Sequence, residues 1–350
     1  MTERVLSARA LNRALLARQL LLERSRLPLV RAVEQVGGLQ TQYAPSGYVA
    51  LWSRLHDFGR GSLTKALEQR RVIQATLMRV TIHMVSARDF GLFAAGVRRS
   101  RKDWWLRTRR RELEGVDMDE VGRRVRSYLA DGPLRATRLA DLLQADGFPR
   151  IAWDGAGLWV DMVRVPPSGT WERRRADLYG LAEQWVASAK ATEAQGLEHL
   201  VRRYLAGFGP ASANDVASWA GLSLTTARSV LERLPLRRFR TEEGGELVDL
   251  PRAPLPDPDT PAPVRFIPTW EPMLLVHARR TEVIPERYRD LVFHTKIPQS
   301  VSTFLVDGAV AGSWRHRDGR VELEPFEPLP RVARRDLEDE ATRLAAFHQE

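Results

Sequence analysis

The sequence predicts a mainly α fold with β elements, an α+β chain, and three observations carry that expectation. Apolar residues recur at three- and four-residue spacing through the first third of the chain. Two later segments open at Gly132-Pro133 and Gly209-Pro210 and read as helix-turn-helix units. The last quarter alternates strand-like runs with two-residue turns. A length of 350 residues leaves room for two or three ordinary domains, or for small modules around a shared core. With 43% hydrophobic residues the chain can build a packed interior, which excludes a disordered protein.

The elements follow in order. Ser7 is positioned to cap a helix carrying Leu11, Leu15, Leu16, Leu20 and Leu21 on one side and Arg9, Arg13 and Arg18 on another, an amphipathic and basic opening. Pro28 starts a second helix through Leu29, Val30, Val33 and Val36, weakened at Gly37-Gly38. Residues 77–85 alternate strictly, with Arg79, Thr81 and His83 on one face and Met78, Val80, Ile82 and Met84 on the other, which predicts a half-buried strand. Residues 132–143 begin at Pro133 and continue as a short amphipathic helix. Residues 209–221 end a helix at Gly221, residues 223–234 supply the next, and residues 237–250, with Gly244-Gly245 between two halves, form a wing. Six prolines in residues 251–263 mark a linker. Beyond it, residues 264–267, 273–277 and 301–306 read as strands of an antiparallel sheet, with hairpin turns at Asp307-Gly308 and Asp318-Gly319. Residues 331–348 read as a charged amphipathic helix.

Charge and composition narrow the function classes. Fifty-four Lys and Arg against 44 Asp and Glu leave a formal charge of +10, which attracts polyanions and puts nucleic acid first among partners. Residues 98–111 hold eight basic residues in fourteen positions with one acid, a phosphate-attracting run that includes Arg98, Arg99, Arg101 and Lys102. Cysteine is absent, which excludes disulfides, iron–sulfur clusters, thiolate zinc sites and cysteine nucleophiles. The seven histidines form no metal motif, no Gly-rich nucleotide loop is present, and neither a cofactor nor a metal is expected. No window approaches ~18 consecutive apolar residues, so a membrane partner is not expected and a cytoplasmic location is. Repeated helix-turn-helix units, a wing and a positive balance together point to DNA binding.

Several motifs resemble the AlkZ-type winged-helix DNA glycosylases. They are residues 11–22, Gly38-Leu39-Gln40-Thr41-Gln42, Leu77-Met78-Arg79-Val80-Thr81-Ile82-His83, the helix-turn-helix at 209–221, Pro268-Thr269-Trp270-Glu271-Pro272-Met273-Leu274-Leu275, and residues 305–314, spanning nearly the whole chain. That family includes bacterial self-resistance enzymes acting on DNA alkylated by azinomycin-like and other bulky natural products. The resemblance implies about three tandem winged helix-turn-helix units plus a C-terminal antiparallel β-rich element, forming a concave DNA-binding surface. On this chain the expected division is 1–125 with the glutamine motif, 126–192, 193–250, the linker 251–263, 264–330 and a final helix 331–350. Two positions depart from the family pattern. Val80 stands where glycine is frequent, which bears on backbone approach to DNA, and Glu271 stands where aspartate is commoner, which bears on any carboxylate role there.

The resemblance implies that Gln40 and Gln42 form the catalytic motif: glutamine, any residue, then glutamine or aspartate. An N7-alkylated guanine already carries positive charge, so it leaves without a strong general acid, and the enzyme needs mainly to hold a water and favour an oxocarbenium-like sugar. Gln42 is expected to orient that water, and Gln40 to share the task or hold the nucleotide. Two such residues serve one site only if residues 40–42 lie at a helix end or in a turn, which Gly37-Gly38 makes plausible. Without the resemblance, two glutamines near a helix terminus read as solvated side chains. Arg79, Thr81 and His83 are expected to contact DNA from one strand face. Arg54 reads as a DNA contact or as half of a structural ion pair. Trp104 and Trp105 read as base-stacking or core residues.

The leading expectation is a monofunctional glycosylase that removes alkylated purines, including bulky adducts or interstrand crosslinks, from double-stranded DNA, with no obligate protein partner. The rival is a noncatalytic winged-helix DNA-binding protein, a transcriptional regulator or lesion-sequestering factor. An RNA-binding protein is a third reading.

Overall fold

In the computed structural model, which describes residues 4–187, 191–275, 281–293 and 299–350, strand β1 (Arg4–Leu6) leads into helix α1 (Ala8–Arg18). Ser7 caps that helix as expected, accepting the Ala10 amide at 3.2 Å. Most of the basic side of α1 does not face solvent, contrary to the amphipathic reading: Arg9 is exposed, but Arg13 and Arg18 are buried. Arg18 grips both carboxylate oxygens of Asp249, at 2.7 and 2.9 Å, and donates to the Leu205 and Pro254 carbonyls. Arg13 donates to Asp307 and, at 2.7 Å, to the Thr260 carbonyl. Carboxylates and carbonyls that meet its donors in this way offset the cost of burying a guanidinium, and spacing along a helix does not distinguish such a residue from a solvated one. Residues 251–263, expected as a linker, are thereby strapped across α1, with Arg9 holding the Pro258 carbonyl at 2.8 Å.

Helix α2 (Leu29–Gln35) follows Pro28 and ends before Gly37 and Gly38, whose φ values of +78° and +84° turn the chain into strand β2 (Leu39–Gln40). Helices α3 (Ala44–Arg54) and α4 (Arg60–Glu68) come next, then a hairpin of β3 (Val72–Thr76) and β4 (Ile82–Ser86). The strand expected over 77–85 therefore begins only at Ile82. Residues Met78–Val80 form a 3-10 turn closed by a Leu77 N–H to Thr81 O bond of 3.0 Å, with Arg79 and Val80 both left-handed, at φ +52° and +59°. The polar and apolar residues of the turn keep the order of a strand by chance, but the adjacent Leu77 and Met78 are both buried, which a half-buried strand does not allow.

Helix α5 (Ala87–Thr108), capped by Ser86, is followed by α6 (Met118–Tyr128), β5 (Leu134–Arg135), α7 (Ala136–Ala145), α8 (Arg150–Ala156), β6 (Met162–Arg164), β7 (Leu178–Leu181) and α9 (Ala182–Trp185). The strands make an antiparallel sheet in the order β2-β4-β3-β6-β7-β5, with β2 at one edge. Helix α10 (Glu193–Phe208) crosses α5 where Gly96 and Gly196 meet backbone to backbone.

Helices α11 (Ala213–Ala220) and α12 (Leu224–Arg233) form the expected helix-turn-helix. Gly221 terminates α11 at φ +71°, Ser223 caps α12, and the hairpin β8 (Arg237–Thr241) and β9 (Glu246–Asp249) follows, with β1 added beside β8. Strands β10 (Arg265–Ile267), β11 (Thr303–Val306), β12 (Ala309–Arg317) and β13 (Arg320–Pro325) build the C-terminal antiparallel sheet. Its two Asp-Gly turns have both residues left-handed, as two-residue hairpins require. Where a strand was expected over 273–277, residues Pro272–Leu275 form a helical turn, α13; Val276 and His277 lie outside the described residues. Pro272 suits a first helical position, and the Glu271 carboxylate accepts the Met273 amide at 3.3 Å. After α14 (Arg289–Val292), the final helix α15 (Arg331–Gln349) buries Leu337, Ala341, Leu344 and Phe347. No helix among the described residues is long and apolar enough to cross a membrane.

Candidate active site

Gln40 lies on the edge strand β2, directly across from His83 on β4. The ladder ends one residue later: Thr41 N–H donates to Ile82 O at 2.8 Å, and Ile82 N–H donates to the Gln42 side-chain oxygen at 2.9 Å. Gln42 is exposed and Gln40 is buried, and the chain bends at Gln42 and Tyr43 into α3. The motif thus occupies a strand-to-helix junction, which meets the requirement for a helix end or turn.

Arg79 ties this junction to the helix-turn-helix. Its guanidinium donates to Gln40 Oε1 at 2.9 Å and to the Trp219 carbonyl at the end of α11. Burial lowers its pKa to about 10, and it remains a cation at neutral pH. His83 is buried and its pKa falls to about 3, through desolvation first and the nearby Arg79 charge second. The ring is therefore neutral. Nδ1 lies 3.1 Å from the Thr81 carbonyl and so carries the proton, which leaves Nε2 as a buried acceptor without a partner among the described residues. The Thr41 hydroxyl is likewise buried and unpartnered. The site holds two neutral amides, a neutral imidazole and one cation.

Beside Arg79 a cleft of about 790 Å³ separates α5 from the α11–α12 turn. Arg99, Arg101, Trp104 and Arg107 of α5 line it together with Gly221, Leu222, Ser223 and Thr226, and Arg79 packs against the turn. The turn sits close because Gly221 lacks a side chain: a Cβ there would lie 3.2 Å from the Arg79 nitrogen. A model of the family described as "DNA glycosylase AlkZ-like" matches residues 33–347.

The chain belongs to the AlkZ-like DNA glycosylase family.

Its fold is similar to that of Streptomyces sahachiroi DNA glycosylase AlkZ, with a TM-score of 0.81 at 17% identity, covering 99% of this chain and 97% of that one. No curated protein matches the chain at a significant level. Membership makes this AlkZ-like chain a DNA glycosylase, with DNA as its substrate.

Within this AlkZ-like fold the residues singled out from sequence separate into groups. Gln40, Arg79, Thr81 and His83 come together, with Gln42 at the same junction. Arg99 and Arg101 join Arg79 along the cleft. Arg98 instead pairs with Asp161, and Lys102 rests 4.9 Å from the Trp159 ring, both beside an adjoining recess that shares Arg99, Asp103 and Glu193 with the cleft. Arg54 is fully buried in an ion pair with Glu271 at 3.0 Å and has no surface to offer DNA; it also holds the Gln19 oxygen and the Ala50 carbonyl. The ion-pair alternative is the one found, with Glu271 as the partner. Trp104 is 40% exposed at the cleft, whereas Trp105 is buried. Sequence reasoning missed Arg164, buried on β6 and bonded to Thr76 Oγ1 at 2.9 Å and Tyr179 OH at 3.1 Å. Its signal was a lone charge inside the apolar run Met162-Val163-Arg164-Val165.

Proposed function

We propose that the protein is a monofunctional glycosylase that hydrolyses the bond between deoxyribose and an alkylated purine, foremost N7-alkylguanine, including bulky adducts and interstrand crosslinks. The observation that carries this reading is the lack of an acid at the junction: no carboxylate hydrogen-bonds to Gln40, Gln42, Arg79 or His83 among the described residues. Such a site cannot protonate a leaving base at neutral pH, and a cationic N7-alkylpurine does not need it to. The C1′–N9 bond breaks with its electron pair passing to the purine, whose positive charge is thereby neutralised. Water adds to C1′ and gives up a proton to solvent, leaving an abasic site.

Each glutamine oxygen has a second lone pair beyond the one already engaged, so Gln42 can accept a hydrogen from the attacking water while the Ile82 amide holds its side chain in place. Gln40, held by Arg79, shares that task or holds the nucleotide. The helix-turn-helix and hairpin at 213–249 act as a winged helix on duplex DNA, and the enzyme works in the cytoplasm. An open cleft suits a base tied to both strands better than a deep flipping pocket does.

The test is incubation with duplexes bearing N7-methylguanine, a bulky N7 adduct or a crosslink, with liberated bases identified by mass. The wild type is expected to release modified base. Gln40→Ala/Gln42→Ala is expected to reduce release by roughly 100- to 1,000-fold, as loss of oriented polar groups does in other enzymes, while still binding duplex DNA. Folded protein that releases no base from any of these duplexes would leave only the noncatalytic DNA-binding reading.

A further inference from the structure

Three arginines converge on the β3–β4 hairpin without a carboxylate partner among the described residues: Arg79, Arg101 and Arg164. Each is held by neutral oxygens. Arg101 donates one terminal nitrogen to the Thr76 carbonyl, Arg164 donates to the Thr76 hydroxyl, and Arg79 donates to Trp219 O and Gln40 Oε1. The acid whose charge acts on Arg101, Asp161, is already paired with Arg98. Burying an unpaired guanidinium is costly, and a residue arranged this way awaits a counter-ion.

Arg101 has the geometry to receive one. It is 4% exposed and lines the cleft, and with Nη1 taken by Thr76 its Nε and Nη2 bond to no described residue. Nε is enclosed by the protein, so Nη2 is the donor left for a phosphate oxygen, with the charge of the planar guanidinium behind it. Burial lowers the Arg101 pKa only to about 10, so the group stays charged at neutral pH. Across the cleft stands the N-terminus of α12, where the Ser223 and Thr226 hydroxyls hydrogen-bond each other at 2.8 Å, Ser223 Oγ accepts the Thr226 amide at 3.0 Å, and the helix dipole favours an anion. Two acids, Asp103 and Glu193, also line the cleft; Asp103 leans toward Arg99 at 3.9 Å.

We propose that Arg101, with Arg79 beside it and the start of α12 opposite, is a seat for one backbone phosphodiester of the bound DNA strand. This rests on the glycosylase reading above and adds to it a fixed register. Because Arg79 also holds Gln40, the phosphate in this seat sets the distance between the strand and the glutamine motif. A polymer fits better than a free phosphate. Arg99 and Arg107 lie eight residues apart on one face of α5, about 12 Å along the helix, so cations continue past the seat in the direction a strand would run.

The experiment is a methylphosphonate scan. Duplexes carrying one tetrahydrofuran abasic analogue have single phosphates neutralised in turn, and affinity is read by fluorescence anisotropy, with base release from alkylated duplex measured in parallel. The wild type is expected to lose at least tenfold in affinity at one position and much less at its neighbours, and Arg101→Gln is expected to be indifferent at that position. Should Arg101→Gln not fold, Arg101→Lys keeps the charge, lacks the planar guanidinium that reaches both Thr76 and the cleft, and is expected to lose most of the same sensitivity. A flat scan, or an equal loss in wild type and variant, overturns the seat. Displacement of DNA by inorganic phosphate beyond that by chloride at matched ionic strength overturns it in favour of a free-phosphate site. Base release with a flat scan removes the seat alone; a one-phosphate dependence without base release removes the glycosylase reading and keeps the seat.

Discussion

His83 and His348 are both held neutral, and that has consequences for pH. In the folded protein His83 titrates near 3 and His348 near 4, the latter through burial first and then the charges of His316, Arg174 and Arg60. In the unfolded chain both titrate near ~6.5. Between that value and the folded values the unfolded state binds protons that the folded state refuses, so stability is full above about pH 6.5 and falls as pH drops toward 4. The limiting slope is about 1.4 kcal/mol per pH unit for each histidine. Urea melts at pH 7, 6, 5 and 4.5 are expected to show this decline, and His348→Gln is expected to flatten it; a variant curve parallel to wild type would refute the assignment. Base release, by contrast, is expected to show no ionisation from His83 between pH 5 and 8. The residues of the site were unequally legible in the sequence. The glutamines stood out only through the family motif, because a neutral amide has no compositional signature. Arg54 and Arg101 carried the same surface signal as Arg99, and only burial separates them.

At the scale of elements, the crossing of α5 and α10 supports the cleft. A Cβ on Gly96 would lie 2.6 Å from the Gly196 carbonyl carbon, and one on Gly196 would lie 2.6 Å from the Leu92 carbonyl oxygen. Both obstacles are backbone and cannot swing aside. Gly196→Ala is therefore expected to destabilise the protein by about 1–3 kcal/mol, as overpacking of cores does, and to lower DNA affinity by shifting the helix that carries Arg101. Thermal melts and anisotropy check both; an unchanged melting temperature would mean that the helices part without cost. Local signals identified Ser7, Pro28, Gly221, Ser223 and both Asp-Gly turns as helix and hairpin boundaries, and the structure has them in those roles, because capping and turn chemistry act within a few residues. The short strands β2 and β6 left no such signal. They pair across distant segments, and two or three residues are too few for a periodicity to show.

For the whole molecule, the distribution of charge matters more than its sum. Buried pairs such as Arg18–Asp249 and Arg54–Glu271 remove one charge of each sign and leave the formal +10 unaltered. The excess therefore comes from cations without a carboxylate, and Arg79 and Arg101 among them lie at the cleft, where a low-dielectric wall concentrates their field. Arg99, 76% exposed, and Arg107 carry that field to the rim. Each rim arginine that meets a phosphate releases a counter-ion, and the plot of log K against log salt steepens by about 0.9 per contact. Arg99→Ala/Arg107→Ala is thus expected to make the slope shallower by about 1.8 in anisotropy titrations on duplex DNA over a range of sodium chloride. The melting temperature should stay unchanged, since neither side chain is buried. A slope equal to that of the wild type would mean that the strand runs along some other basic face, and the cleft would then have to be assigned a different ligand.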